Sequence, residues 1–195
     1  MWYNGNANNL RQKSEVDMLN LAVRNTSKLV RAKSKSENVR LGRLFTKKDT
    51  ARLMAKMFEL NPRKSVYTIL DPGAGTGILS AAVVEEICHR AEGCKQIFLT
   101  CYETCDDFIP MLEDNLERIR KRARHDFGVR LYVTVYPENY VTESQNHYTV
   151  TLFDTVEDKF DLIICNPPTD LVDKASVEAD TVGGVTQLKI SAAFL

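Results

Sequence analysis

The sequence lacks the cysteine arrangements that define small stapled or metal-bound modules. Its five cysteines, Cys88, Cys94, Cys101, Cys105 and Cys165, are odd in number and contain no CxxC pair. Cys101 and Cys105 stand four apart, but no set of histidines accompanies them at metal spacing. This argues against zinc and for free thiols in a reducing cytosol. No apolar run reaches the roughly 18 residues that a membrane span needs. Met1-Trp2-Tyr3-Asn4 does not read as the start of a signal peptide. The expectation is a cytoplasmic protein without a membrane partner. Internal repeats and low-complexity tracts are missing as well, and so is any net charge.

What is present is an ordinary globular composition, 44% hydrophobic and 27% charged over 195 residues. That is enough chain for one domain with a real core. The charge is unevenly placed. Residues 1–48 carry eleven Lys/Arg against three acids, a net +8, and the rest of the chain carries −8. A basic arm of this kind suits a polyanion such as nucleic acid, or is simply a solvated helix face.

Residues 8–36 read as a basic, amphipathic helix with Met18, Leu19, Ala22, Leu29 and Val30 apolar. Residues 46–60 read as a second helix. Thr46 and Asp49 are spaced as a capping box, and Leu53, Met54, Met57 and Phe58 form its expected apolar stripe. Then strands and helices alternate. Strands are expected at 66–71, 95–103, 129–137 and 160–165, with helices to about Arg90 and from about Asp106 to Arg124. Residues 148–155 read as a short strand or an ordered loop, and 185–195 as a last helix. Such alternation implies an α/β fold with a parallel, Rossmann-like sheet.

The stretch ILDPGAGTGILS, residues 69–80, follows a strand and opens a helix. Gly73, Gly75 and Gly77 permit positive φ angles and close approach of a ligand to backbone. A phosphate loop would need G-x-x-x-x-G-K-[ST], and this loop has no Lys. The glycine spacing also misses the dinucleotide pattern G-x-G-x-x-G. Asp71, at the strand's carboxyl end, disfavours a pyrophosphate and suits a cation. S-adenosylmethionine carries two cationic groups, a sulfonium and an ammonium. Thirty-two residues after Asp71, Glu103 ends the next strand. An acid there can accept both ribose hydroxyls of a nucleoside.

Asp71-Pro72-Gly73-Ala74-Gly75-Thr76-Gly77, followed by Asn166-Pro167-Pro168, resembles the class I S-adenosylmethionine-dependent N6-adenine DNA methyltransferases. The likeness is to the restriction-modification group in which the cofactor motifs precede the catalytic loop. LGRLFTKKDTARLMAKMF, residues 41–58, is similar to that group's upstream segment, G-x-F-x-T-P-x-x-[IV]-A. Phe45 and Thr46 match it, and Lys47 stands where Pro is usual. The resemblance implies that Phe45 and Thr46 touch the methionine end of S-adenosyl-L-methionine. A plain helix N-cap is a second reading of Thr46, compatible with the first. Asn139, with Glu138 beside it, falls where the family has an acid near the cofactor's adenine.

For the catalytic loop, the resemblance implies that Asn166 and the Pro167 carbonyl accept the two N–H bonds of the target amine. Pro167 and Pro168 stiffen that loop. Thr169 departs from the family, which has an aromatic ring there to stack on an adenine flipped out of double-stranded DNA. The implied partners are DNA and a specificity or restriction subunit. The implied organisation is a basic helical extension, 1–40, before a catalytic domain, 41–195. The chain ends about 25 residues after the loop. The expectation is therefore an incomplete sheet, no target-recognition region, and little DNA methylation by this chain alone. N-P-P motifs also occur in glutamine and RNA-base methyltransferases, so both stay open as alternatives. A nucleotide-binding remnant with a degenerate loop is the third.

Overall fold

A computed structural model describes residues 17–32, 45–143 and 160–166. The elements expected at 148–155 and 185–195 lie outside these residues, as do Pro167, Pro168 and Thr169. Four helices and four strands are labelled here. They are α1 (Met18–Ala32), α2 (Lys48–Lys56), β1 (Val66–Asp71), α3 (Ile78–Arg90), β2 (Gln96–Tyr102), α4 (Ile109–Phe127), β3 (Arg130–Tyr136) and β4 (Leu162–Ile163).

The strands form one parallel sheet in the order β3-β2-β1-β4. The chain winds outward from β1 to β3, then returns to place β4 on the other side of β1. That reversal makes the β1/β4 boundary a topological switch point, where ligands of open α/β sheets bind at the strands' carboxyl ends. The sheet is α/β and Rossmann-like, as the alternation implied.

Alternate residues of each strand point toward the helices. Tyr67, Ile69, Ile97, Leu99 and Leu131 are buried there against Val83, Val84, Ile87, Leu112, Leu116 and Ile119. The opposite face carries Phe98, Tyr132 and Tyr136, all exposed. Phe98 stacks on Tyr132 at 4.9 Å, and Tyr102 on Tyr136 at 4.9 Å.

Two expectations need correction. The strand at 160–165 is a two-residue ladder, and Ile163 is 56% exposed rather than buried. It sits on the face away from the helices, in register with Leu70. Leu53 of α2 and Met57 at its C-cap are 62% and 75% exposed, while Ala51 and Ala55 are buried. The stripe that faces α3 is therefore built on small residues that let two helices approach closely. Met54 and Phe58 do pack against the core, as expected.

α1 is part of the packed structure. Met18, Leu19 and Ala22 are buried. Asp17 caps its first turn by accepting from the Asn20 amide, and Arg52 of α2 pairs with the same carboxylate at 3.0 Å. Arg24, Lys28 and Arg31 lie on its exposed side. No helix among the described residues is long and apolar enough to cross a membrane.

Candidate functional site

The glycine loop leaves β1 at Asp71 and enters α3 at Ile78. Gly75 has φ +56° and Gly77 φ +83°, so two of the three glycines occupy the left-handed region that favours glycine. Gly77 is also the N-cap of α3, and a Cβ there would lie 3.0 Å from Leu112. Nothing stands within 4 Å of a Cβ at Gly73, which leaves open space over that part of the loop.

Asp71 is fully buried, and it does not line the pocket described below. Its Oδ2 accepts from the Ser80 hydroxyl at 2.6 Å, while Oδ1 is buried without a partner. Burial pushes its pKa up to about 7 against the pull of the Ser80 hydroxyl and of the Gly73 and Ser80 backbone, and the Glu103 charge adds to the rise. Cys101 and Cys165 lie close enough for Asp71 to raise their thiol pKa values beyond what burial does.

Glu103 directly follows β2 and grips the loop. One carboxylate oxygen accepts from the Gly75 amide at 2.7 Å, and the other from the Cys105 amide at 2.7 Å. A carboxylate has about four lone-pair sites. These two bonds therefore orient the group without filling it.

Phe45 lies over Gly75, with ring carbons 3.9 Å from where a Cβ would stand, and packs on Phe108 at 5.1 Å. Thr46 does not cap α2. The N-cap is Lys47, and no side chain bonds there, so the T-x-x-D frame is one residue out of register. Asp49 still sits in the first turn, where a negative charge suits the helix dipole. The Thr46 hydroxyl instead accepts from Asn166 Nδ2 at 3.1 Å, across 120 residues of sequence.

β4 brings Asn166 to this point. Asp161 secures β4 on β1 by accepting from the Thr68 amide at 2.9 Å and from the Thr68 hydroxyl at 3.2 Å, and by pairing with Lys64. Asn166 follows five residues later, at the switch point. Phe45, Thr46, Gly73, Gly75, Thr76 and Asn166 line one open pocket. Five of these six were singled out in the sequence. Asn139 is placed elsewhere, beyond the end of β3, where its side-chain oxygen accepts from the Val141 amide at 3.0 Å.

Sequence reasoning missed Thr76, Ser80, Thr26 and Asn115. Asn115 carried a readable signal, because it interrupts the apolar face of Leu112, Leu116 and Ile119 on α4. A polar residue at such a position needs a buried partner.

Fold and site together define a Rossmann-like α/β domain with a ligand pocket at its switch point. No family profile matches the chain. It is 30% identical over 129 residues to the type II methyltransferase M.PstI of Providencia stuartii. That match covers 66% of this chain and 24% of the relative, so the chain spans about a quarter of the protein that it matches. Among solved structures, the methyltransferase subunit of a type I restriction-modification system from Streptococcus thermophilus is similar. It has 17% identity and a TM-score of 0.45, over 70% of this chain and 26% of that one. A Listeria monocytogenes structure described as a class I S-adenosylmethionine-dependent methyltransferase has 13% identity and a TM-score of 0.44. There the match covers 95% of this chain and 63% of that one.

Proposed function

We propose that the chain carries the cofactor-binding and catalytic residues of a cytoplasmic DNA methyltransferase of a restriction-modification or phage-defence system. It transfers a methyl group from S-adenosylmethionine to N6 of adenine. The observation that carries this reading is the meeting of Asn166, Thr46 and the glycine loop in one pocket at the switch point. The sequence likeness to a type II methyltransferase supports it.

The residues present fit a cationic nucleoside. Buried Asp71 has an unpartnered oxygen beneath the loop, and a cation nearby would compensate its charge. The open space over Gly73 lets a ligand lie on backbone. Phe45 and Thr46 would hold the methionine end, Gly73, Gly75 and Gly77 would carry the body, and Glu103 would take the ribose. The adenine end would then lie beyond β3 toward Asn139, outside the pocket at the glycine loop, where the Asn139 side-chain oxygen already accepts from the Val141 amide. When bound, S-adenosylmethionine supplies an electrophilic methyl group.

The chain's part in the chemistry is to sharpen and place the nucleophile. The N6 amine is weak because its lone pair is spread into the purine ring. Asn166 Nδ2 is committed to Thr46, which leaves Oδ1 as the acceptor for one amine N–H. The Pro167 carbonyl takes the other. Acceptors fixed in place before the reaction localise the lone pair at little reorganisation cost. Thr169 cannot stack on a flipped base, and such stacking is worth roughly 1–3 kcal/mol. Its loss slows the reaction roughly 5- to 150-fold without abolishing it.

Incubation with cofactor labelled in its methyl group tests the target. A low level of label is expected in adenine of DNA, in keeping with the little methylation expected of this chain alone, and Thr169→Tyr is expected to speed its appearance by roughly 5- to 150-fold. Label in RNA or protein instead of DNA would overturn the assigned target. No gain from the tyrosine would overturn the role given to Thr169.

A further inference from the structure

A run of buried polar groups ties the glycine loop to α1, far from it in sequence. Thr76 is the centre of the run, buried between Gly75 and Gly77. Its hydroxyl lies 2.7 Å from the hydroxyl of Thr26. Thr26 Oγ1 also donates to the Ala22 carbonyl at 2.9 Å. A hydroxyl has one proton. That of Thr26 is committed to Ala22, so Thr76 donates and Thr26 accepts.

The other end of Thr76 is held as well. Its carbonyl accepts from Asn115 Nδ2 at 2.8 Å. Asn115 Oδ1 accepts in turn from Asn25 Nδ2 at 3.0 Å. Adjacent residues of α1 thus reach the hydroxyl and the carbonyl of residue 76, Thr26 directly and Asn25 through Asn115 of α4. Thr26, Asn25, Thr76 and Asn115 are all buried. A helix that needed only to pack would carry apolar residues at these positions, because buried polar groups are costly unless paired. The pairing here converges on one residue of the loop that lines the pocket.

We propose that Thr26 is a positioning residue for the cofactor site. Its hydroxyl fixes residue 76 and so holds the flanking Gly75 and Gly77 in the left-handed backbone that receives the ligand. The proposal rests on reading the glycine loop as the cofactor site. It gives α1 a task in binding as well as in packing.

Three proteins test it: wild type, Thr26→Val and Thr26→Ser. Two readouts are taken on each, affinity for S-adenosylhomocysteine and amide hydrogen exchange. Thr26→Val keeps the shape and removes the acceptor. It is expected to weaken binding roughly 3- to 10-fold, the span of one lost hydrogen bond. It is expected to speed exchange at Gly75 and Gly77 while the amides of Val83 and Val84 in α3 keep their wild-type rates. Thr26→Ser restores the acceptor and is expected to restore both readouts. Wild-type affinity and unchanged loop exchange in Thr26→Val would overturn the proposal. So would a uniform rise in exchange across loop and core, which is what a purely structural role gives. If wild type itself does not bind, the cofactor reading fails, and the exchange pattern still decides whether Thr26 positions the loop.

Discussion

Asp71 combines full burial with a short hydrogen bond from the Ser80 hydroxyl and the weaker support of the Gly73 and Ser80 backbone. Its pKa rises from 3.8 to about 7, so ionising it costs the folded state. That cost is absent below pH 3.8, grows with pH, and is complete above about 7. Stability is therefore expected to fall as pH rises through this window, and the fall is expected to be smaller in Asp71→Asn, which leaves the raised Glu85 carboxyl in place. Urea unfolding at several pH values measures it, and a variant with the wild-type slope would contradict the assignment. A bound cation favours the ionised carboxylate. Affinity for S-adenosylmethionine is thus expected to increase with pH up to about 7, with release of a proton. The residue type and its place at a strand end were legible in the sequence. Its burial was not, because that depends on α3 and β2 closing over it. The Thr26–Thr76 contact was hidden for the same reason, since fifty residues of chain separate the partners.

Among the elements, strands were easier to read than helix faces. Short runs rich in β-branched and aromatic residues mark β1, β2 and β3 in the sequence, and the structure places each within a residue of its expected bounds. The α2 face was misread because hydrophobicity favours Leu53 and Met57, whereas close helix packing selects Ala51 and Ala55. Ala55→Leu is accordingly expected to destabilise the fold by about 1–3 kcal/mol through overpacking. Leu53→Lys is expected to stay within about 0.5 kcal/mol of wild type, as an exposed site does. Denaturant melts of the two variants check the pair, and the reverse ranking would contradict the observed face. β4 is the other instructive element. Two ladder residues hold it on β1, so the grip of Asp161 on Thr68 and Lys64 carries much of its registration. Burial pushes the Asp161 pKa up, but those partners outweigh it and keep it below the usual carboxylate value. The contribution is present at neutral pH and lost as the pH falls through that lowered value.

For the molecule as a whole, strand order determines where chemistry can happen. Among the described strands, the order β3-β2-β1-β4 opens one switch point, and residues 45–46, 73–76 and 166 converge there from three separate stretches of sequence. Motif order alone brought those stretches together in the reading of the sequence. What it could not supply was the direct bond between Thr46 and Asn166, or the anchoring of the loop by α1. The most direct test of the account is calorimetric titration of S-adenosylmethionine into the purified chain and into Glu103→Ala. Removing that carboxylate deletes a charged hydrogen-bonding group, worth roughly 1.5–3 kcal/mol. One site per chain is expected, weakened by roughly 10- to 150-fold in the variant. A folded wild-type chain that binds no S-adenosylmethionine, or a variant that binds it equally well, would contradict it.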